Sequence, residues 1–160
     1  VSKITIRKAT IEDAALILSF VHELAKEEKA EYEVETSKEQ LAKTLFGNNS
    51  TSHVIICEAK GVPIGHAVYF FNYSTWQGKN GLYIEDLYIL AEYRNIGAGK
   101  QIIKHLSLLA LEKDCGRMEW SVLDWNSPAI GFYKSLGAEP QDNWIRYRLS
   151  GNALNKVACS

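Results

Sequence analysis

Cysteine is scarce in this chain of 160 residues: Cys57, Cys115 and Cys159 are odd in number, far apart and without a CxxC pair. That excludes a disulfide framework, gives no metal or redox signature and points to a reducing, cytoplasmic compartment. Net charge is equally scarce. Lys plus Arg number 18 against 19 for Asp plus Glu, a formal −1, so no overall field draws the molecule to nucleic acid or to anionic lipid. No apolar run approaches the roughly 20 residues that span a bilayer. The start, Val1-Ser2-Lys3-Ile4-Thr5-Ile6-Arg7, alternates too early to hold the apolar core of a signal peptide. No fixed-period repeat, low-complexity tract or Pro/Gly/Ser linker divides the chain. What remains is a globular composition, 46% hydrophobic and 23% charged, sufficient to bury a core. The expectation is one soluble domain over residues 1–150 followed by a loosely held tail, 151–160.

Local patterns predict the order of elements. Residues 4–8 alternate as a strand, and Thr10 with Asp13 reads as a capping pair opening a helix whose Ala14, Ile17, Leu18, Val21, Leu24 and Ala25 share one face. That helix is expected to fray in the acidic stretch 27–35. Ser37-Lys38-Glu39-Gln40 opens a second helix that Gly47 stops. Residues 53–59 and 64–72 read as a hairpin across the turn Lys60-Gly61-Val62-Pro63, with a polar loop over 73–80. A strand over 82–89 follows, with Glu85 and Asp86 inside an apolar frame. A helix over 97–114 ends at Gly116. Then come a strand over 117–123, a short helix over 128–136 capped by Ser127-Pro128 and closed by Gly137, and a last strand over 144–149. The fold expected is α/β in the mixed α+β sense: a mostly antiparallel central sheet flanked by helices.

The chemistry concentrates in Arg94-Asn95-Ile96-Gly97-Ala98-Gly99-Lys100, between a strand and an amphipathic helix. Amides at a helix start point at an anion, and glycine at alternate positions lets a phosphate approach. A dinucleotide fingerprint needs a third glycine at Ile102, and a Walker A loop needs Ser or Thr at Gln101. Neither is present. Taken alone, the GxG is also compatible with a structural tight turn.

The wider pattern resembles the GNAT N-acetyltransferase superfamily, whose signature of Arg or Gln, two residues, Gly, one residue, Gly or Ala matches Arg94, Gly97 and Gly99. The likeness runs through Leu82-Tyr83-Ile84-Glu85-Asp86-Leu87 before it and residues 124–134 after it, and is similar to the diamine (spermidine/spermine) and thialysine acetyltransferase branch. One departure is Glu27, where an aromatic residue stands in that branch.

The resemblance implies a GNAT-type sheet and an acetyl-CoA site. Main-chain groups of Leu87, Tyr88 and Ile89 would pair with the pantetheine arm like an added strand. Asn95, Ile96, Gly97, Ala98, Gly99 and Lys100 would cradle the diphosphate, with Arg94 and Lys100 adding charge, and Asn126 and Ala129 would flank the thiol end. No metal is expected.

For the chemistry itself, a primary amine with a pKa of about 10.4 must lose a proton before it attacks a thioester. Glu85, acting through water, is the expected base. Asp86, alternating to the opposite face, is given a supporting role; the bland alternative for the pair is two charges at a sheet edge. Tyr133 is the family's expected proton donor to the departing thiolate; full transfer from a phenol near pKa 10 to a thiolate near 8.5 costs about 2 kcal/mol, so a strengthening hydrogen bond is the useful contribution. Glu28, Trp76, Glu85, Asp86, Asp142 and Trp144 are the expected amine contacts, although the acidic run also reads as a solvated helix end. The four histidines lack metal-ligand spacing. A small-amine N-acetyltransferase acting by direct attack in a ternary complex is therefore expected, and a homodimer is implied by resemblance. A non-catalytic acyl-CoA sensor and an acetyltransferase of protein lysines or N-termini are the alternatives.

Overall fold

The computed structural model describes residues 3–160; the alternating start read at Val1 and Ser2 lies outside the described residues. The chain forms two compact units, one up to Ser121 and one from Val122 onward.

The first unit is built on a five-stranded sheet in sequence order, β1 (Ile4–Lys8), β2 (Ser52–Ala59), β3 (Val62–Ser74), β4 (Lys79–Ile89) and β5 (Met118–Trp120). All neighbours are antiparallel except β4 and β5, which run parallel. β2 and β3 turn in two residues, Lys60 and Gly61, both with positive φ (51° and 78°), the geometry that matches strand twist in a tight hairpin. The sequence-expected turn was longer by two residues, because Val62 and Pro63 already pair with Ala59 and Glu58. The loop expected over 73–80 likewise shrinks, since β3 and β4 pair out to Ser74 and Lys79.

Helices α1 (Ala14–Glu27) and α2 (Lys38–Phe46) cover one sheet face. There Ile17, Val54, Ile56 and Val68 form a buried cluster, with Val21, Leu41, Leu45 and Phe46 packed against it. Asp13 opens α1 by accepting the Thr10 amide (2.8 Å) while binding both ends of the Arg7 fork (2.8 and 2.9 Å). Those hydrogen bonds from Arg7 hold its carboxyl below the usual range. Helix α3 (Ala98–Glu112) buries Ile102, Ile103, Leu106 and Ala110; the opposite sheet face, carrying Ile55, Ala67, Leu82 and Ile84, is buried as well.

Three helix ends differ from the sequence reading. The end of α1 does not fray: Lys29 takes a left-handed φ of 58°, and the Ala30 amide donates back to the Ala25 carbonyl (2.8 Å), a closed C-terminal motif that reverses the chain. Asp114, not Gly116, ends α3 in the same way, with φ 55° and Cys115 N–H donating to Ala110 (2.8 Å); a short polar side chain tolerates that conformation.

The third lies in the second unit, which holds α4 (Ser127–Ser135) and α5 (Gly151–Ala158). The cap of α4 is Asn126, whose Oδ1 accepts from the Ala129 amide (3.3 Å), rather than Ser127. Gly137 closes that helix at φ 90°, as expected. The strand expected over 144–149 is not formed, because no segment among the described residues pairs with it; a strand without a ladder is not a strand. The residues expected as a loose tail form α5.

Candidate active site

The decisive local feature is a single extra residue in β4. Ile84 pairs with Tyr69 and Asp86 pairs with Val68, which leaves Glu85 without an opposite number on β3. By period two, Glu85 falls on the face of Tyr83. The inserted residue resets the alternation so that Asp86 falls on the face of Tyr88, and these two faces are the same one. The expected placement of Asp86 on the opposite face is thereby corrected: both carboxylates line one cavity, beside α1.

That cavity, of about 460 Å³, is walled by Val21, Leu24 and Ala25 of α1 and by Glu28, Glu33 and Glu35 of the segment that Lys29 turns back, besides Glu85 and Asp86. Five carboxylates thus converge on an apolar floor. Burial first, and neighbouring negative charge second, raises two of these groups. Burial, then the charges of Glu85 and Glu28, push the Asp86 carboxyl up to about 6. Burial, then the charge of Glu27, raises that of Glu28. Among the amine contacts expected from sequence, the cavity gathers Glu28, Glu85 and Asp86. Trp76 is not in its lining and stands 88% exposed in the β3–β4 turn. Glu33 and Glu35 belong to the acidic run that reads from sequence either as an entry for a cationic amine or as a solvated helix end; their place in the lining follows from the left-handed Lys29, which no residue-type rule for glycine flags.

The second feature is the edge of β4 beyond the bulge. β5 pairs only with Leu82, Tyr83 and Ile84, so Leu87, Tyr88 and Ile89 are laddered to β3 on one side and, among the described residues, to no strand on the other. An extended amide-bearing chain fits such an edge. The Ile89 carbonyl is an exception, since it already accepts from Arg94 Nε (2.9 Å).

The third feature is the loop between β4 and α3. Asn95 (φ 65°) and Gly97 (φ 86°) are both left-handed and bracket Ile96. The first amide inside the α3 ladder is that of Gln101, donating to the Gly97 carbonyl (3.0 Å), so the amides of Ala98, Gly99 and Lys100 precede the ladder and have no intrahelical partner. Three outward amides at the positive end of a 15-residue helix fit a diphosphate. Arg94 is more engaged than expected, donating also to the Glu27 carboxylate and lying over the Tyr88 ring.

In the second unit, Tyr133 is half-buried on α4 beside Phe132, ring centroids 5.5 Å apart. Asp142 and Trp144 lie on an irregular, exposed segment of that unit. Thiol chemistry is disfavoured at two of the three cysteines. Burial, then the charge of Glu58, pushes the Cys57 thiol up to about 11, and burial, then Asp114, raises that of Cys115.

Comparison with known proteins accords with this geometry. Residues 18–138 match the family described as acetyltransferase (GNAT). The chain is 37% identical to the thialysine N-epsilon-acetyltransferase of Mus musculus over 164 aligned residues, covering 96% of each chain. It is 31% identical to the human spermidine/spermine N(1)-acetyltransferase-like protein 1, covering 96% of this chain and 23% of that one. Among solved structures, an integron cassette protein from the mobile metagenome of V. cholerae superposes with a TM-score of 0.81 at 28% identity, covering 98% of both chains.

Proposed function

The chain belongs to the acetyltransferase (GNAT) family and is an N-acetyltransferase, and from that premise we propose that it transfers the acetyl group of acetyl-CoA to a primary amine of a small cationic molecule, a diamine, polyamine or lysine analogue such as thialysine. The observation that carries this reading is the cavity in which Glu85 and Asp86 stand side by side with Glu28, Glu33 and Glu35. A carboxylate-lined pocket of this size suits a compact polycation, and its field concentrates ammonium groups while screening with salt.

Acetyl-CoA supplies the electrophilic thioester carbonyl. The open edge at Leu87, Tyr88 and Ile89 orients its amide-bearing arm, and the amides of Ala98, Gly99 and Lys100, with the Lys100 ammonium, hold its diphosphate; Asn95, Ile96 and Gly97 set the loop's path. Asn126, as the cap of α4, keeps Ala129 in place at the thiol end. Glu85 and Asp86 together relieve the ammonium of its proton, directly or through water, and burial raises the proton affinity of Asp86 toward that task. Tyr133 donates a hydrogen bond to sulfur as charge develops. The amine attacks in a ternary complex, consistent with the raised thiols of Cys57 and Cys115. The active form is a cytoplasmic homodimer.

The test is a panel of thialysine, short diamines, spermidine, spermine and a lysine-containing peptide, each with acetyl-CoA, reading free thiol release. Turnover on the diamines or thialysine at least about tenfold above the peptide supports the reading. Coenzyme uptake without turnover on any amine replaces it with the sensor role. Tyr133→Phe is expected to lower kcat by about tenfold to a thousandfold while coenzyme affinity holds; unchanged turnover removes Tyr133 from the chemistry.

A further inference from the structure

Building on the assignment of residues 94–100 to the coenzyme, we propose that Glu27 is a positioning residue for that loop: it locks Arg94 in a fixed brace between β4 and α1, so that the loop is shaped before the coenzyme arrives. Three contacts converge on one guanidinium. Nε donates to the Ile89 carbonyl at 2.9 Å. The guanidinium carbon lies 5.5 Å from the centroid of the Tyr88 ring. Nη2 donates to the Glu27 carboxylate. Tyr88 is itself only 4% exposed and packs against Phe20 of α1, ring centroids 6.1 Å apart. The surface under the guanidinium is therefore anchored in the core, and Glu27 closes the remaining side.

An ion pair between two side chains that are 40% and 41% exposed is weak on its own. Here the carbonyl and the ring have already fixed the orientation of the planar fork, so little freedom is lost when Glu27 engages it. The same commitment removes Arg94 as a side-on phosphate ligand. Nε and Nη2 form the edge that would grip an anion with two parallel bonds, and both donate elsewhere. Arg94 thus acts mechanically, setting the start of a loop whose next turns are the left-handed Asn95 and Gly97.

Glu27 does not belong to the amine cavity, whose lining includes its neighbour Glu28 but not Glu27. Adjacent residues at the end of α1 consequently serve two different parts of the site.

The experiment compares the full chain with Glu27→Gln, Glu27→Asp and Arg94→Gln by three readouts: calorimetric binding of CoA, separate KM values for acetyl-CoA and amine, and amide hydrogen exchange of residues 94–100 without ligand. Glu27→Gln is expected to weaken CoA binding and raise the KM for acetyl-CoA by about fivefold at low ionic strength, with the difference shrinking toward unity near about 0.5 M salt. Values of kcat and the amine KM stay within about twofold, and exchange at residues 95–97 quickens several-fold. Glu27→Asp recovers part of the affinity, and the Glu27→Gln, Arg94→Gln double variant is no worse than Arg94→Gln alone. Tighter CoA binding by Glu27→Gln overturns the proposal in favour of a carboxylate that competes with the diphosphate. A rise confined to the amine KM overturns it in favour of an amine contact. If the parent chain takes up no CoA, the coenzyme assignment falls, and exchange in the free chain still decides the brace: unchanged rates at residues 95–97 refute it.

Discussion

His66 and Asp86 titrate in opposite senses on the same sheet face. His66 is 0% exposed and, among the described residues, neither ring nitrogen has a hydrogen-bond partner; its nearest ring is Phe20, centroids 5.1 Å apart. Burial pushes its pKa down to about 3, whereas in the unfolded chain it takes a proton near 6.5. The unfolded state therefore binds the extra proton below pH 6.5, and stability is lost as pH falls from there toward 3, by at most about 1.4 kcal/mol per pH unit. Asp86 has the reverse sign. Its folded value of about 6 lies above the unfolded value of 3.8, so its contribution is fully present below pH 3.8 and is lost as pH rises through 6. Between these limits the two slopes oppose each other. Thermal melts between pH 4 and 8 separate them. His66→Leu, which removes two unsatisfied nitrogens at similar volume, is expected to melt higher than the parent, by a margin that widens as pH drops below 6.5. Asp86→Asn is expected to gain about 2–3 kcal/mol on the parent between pH 4 and pH 8. A constant offset across the range for either variant contradicts the assignment. In the reaction proposed above Asp86 is expected to set an acid limb, kcat/KM falling as pH drops through about 6 in the parent. Because Glu85, Asp86 and Glu28 are close, that limb belongs to the cluster, and Asp86→Asn shifts it rather than merely lowering the plateau.

At the scale of the element, the bulge in β4 explains how a strand supplies two adjacent carboxylates to one cavity. Removing it is a direct test. Deletion of Glu85 leaves Ile84 opposite Tyr69 and Asp86 opposite Val68, a regular register in which every apolar side chain keeps its face. The deletion variant is expected to fold, with a melting temperature within a few degrees of the parent, while transfer falls by about a hundredfold or more because one of the paired carboxylates is gone. Unfolding of the variant would show that the bulge is a structural need and not a device of the site. Gly97 provides a second test. At φ 86° nothing stands within 4 Å of an added Cβ, so Gly97→Ala meets no clash and its cost, about 1–2 kcal/mol, is purely conformational. That cost falls on the loop, and CoA affinity is expected to drop about tenfold while the core keeps its stability. These elements also show what was legible beforehand. The period-two runs of β2 and β3, the amphipathic stripes of α1 and α3, the Ser37 cap and the Gly137 stop all announce themselves through residue type, and so does the GxG loop. The bulge does not, since Glu85 fits the alternation from Tyr83 and only the partner strand reveals that it is extra. Lys29 ends α1 in a conformation that sequence rules reserve for glycine, and Asp114 ends α3 in the same one, which a short polar side chain only occasionally adopts. Asn126 took the cap that Ser127-Pro128 advertised: Ser127 already stands inside the helix, against the usual bias of a residue before proline, and the Asn126 carboxamide is the side chain that reaches the Ala129 amide.

For the molecule as a whole, the run over 144–149 carries the outstanding question. Trp144, Ile145, Tyr147 and Leu149 are 68%, 78%, 90% and 54% exposed, and Ile145, Tyr147 and Leu149 alternate with Arg146 and Arg148 in the pattern of a half-buried strand. Sequence signals for a strand were therefore sound as propensity and failed only for want of a partner, which propensity cannot supply. Apolar side chains this exposed over six residues are unusual in a monomer. For the homodimer proposed above this run is the contact we expect, and two-fold symmetry would make one substitution there act twice in each interface. Ile145→Asp is expected to shift sedimentation equilibrium toward the 18.0 kDa monomer by at least about tenfold in dissociation constant. CoA binding, whose proposed contacts at residues 87–89, 94–100, 126 and 129 do not include this run, is expected to stay within about twofold. Trp76→Ala, equally exposed but in the β3–β4 turn, leaves the association unchanged. A parent chain that sediments as a monomer at every concentration refutes the dimer outright. A dimer that survives Ile145→Asp moves the interface away from this run and leaves its apolar side chains to the amine, a role that a selective rise in amine KM for Trp144→Ala would then register.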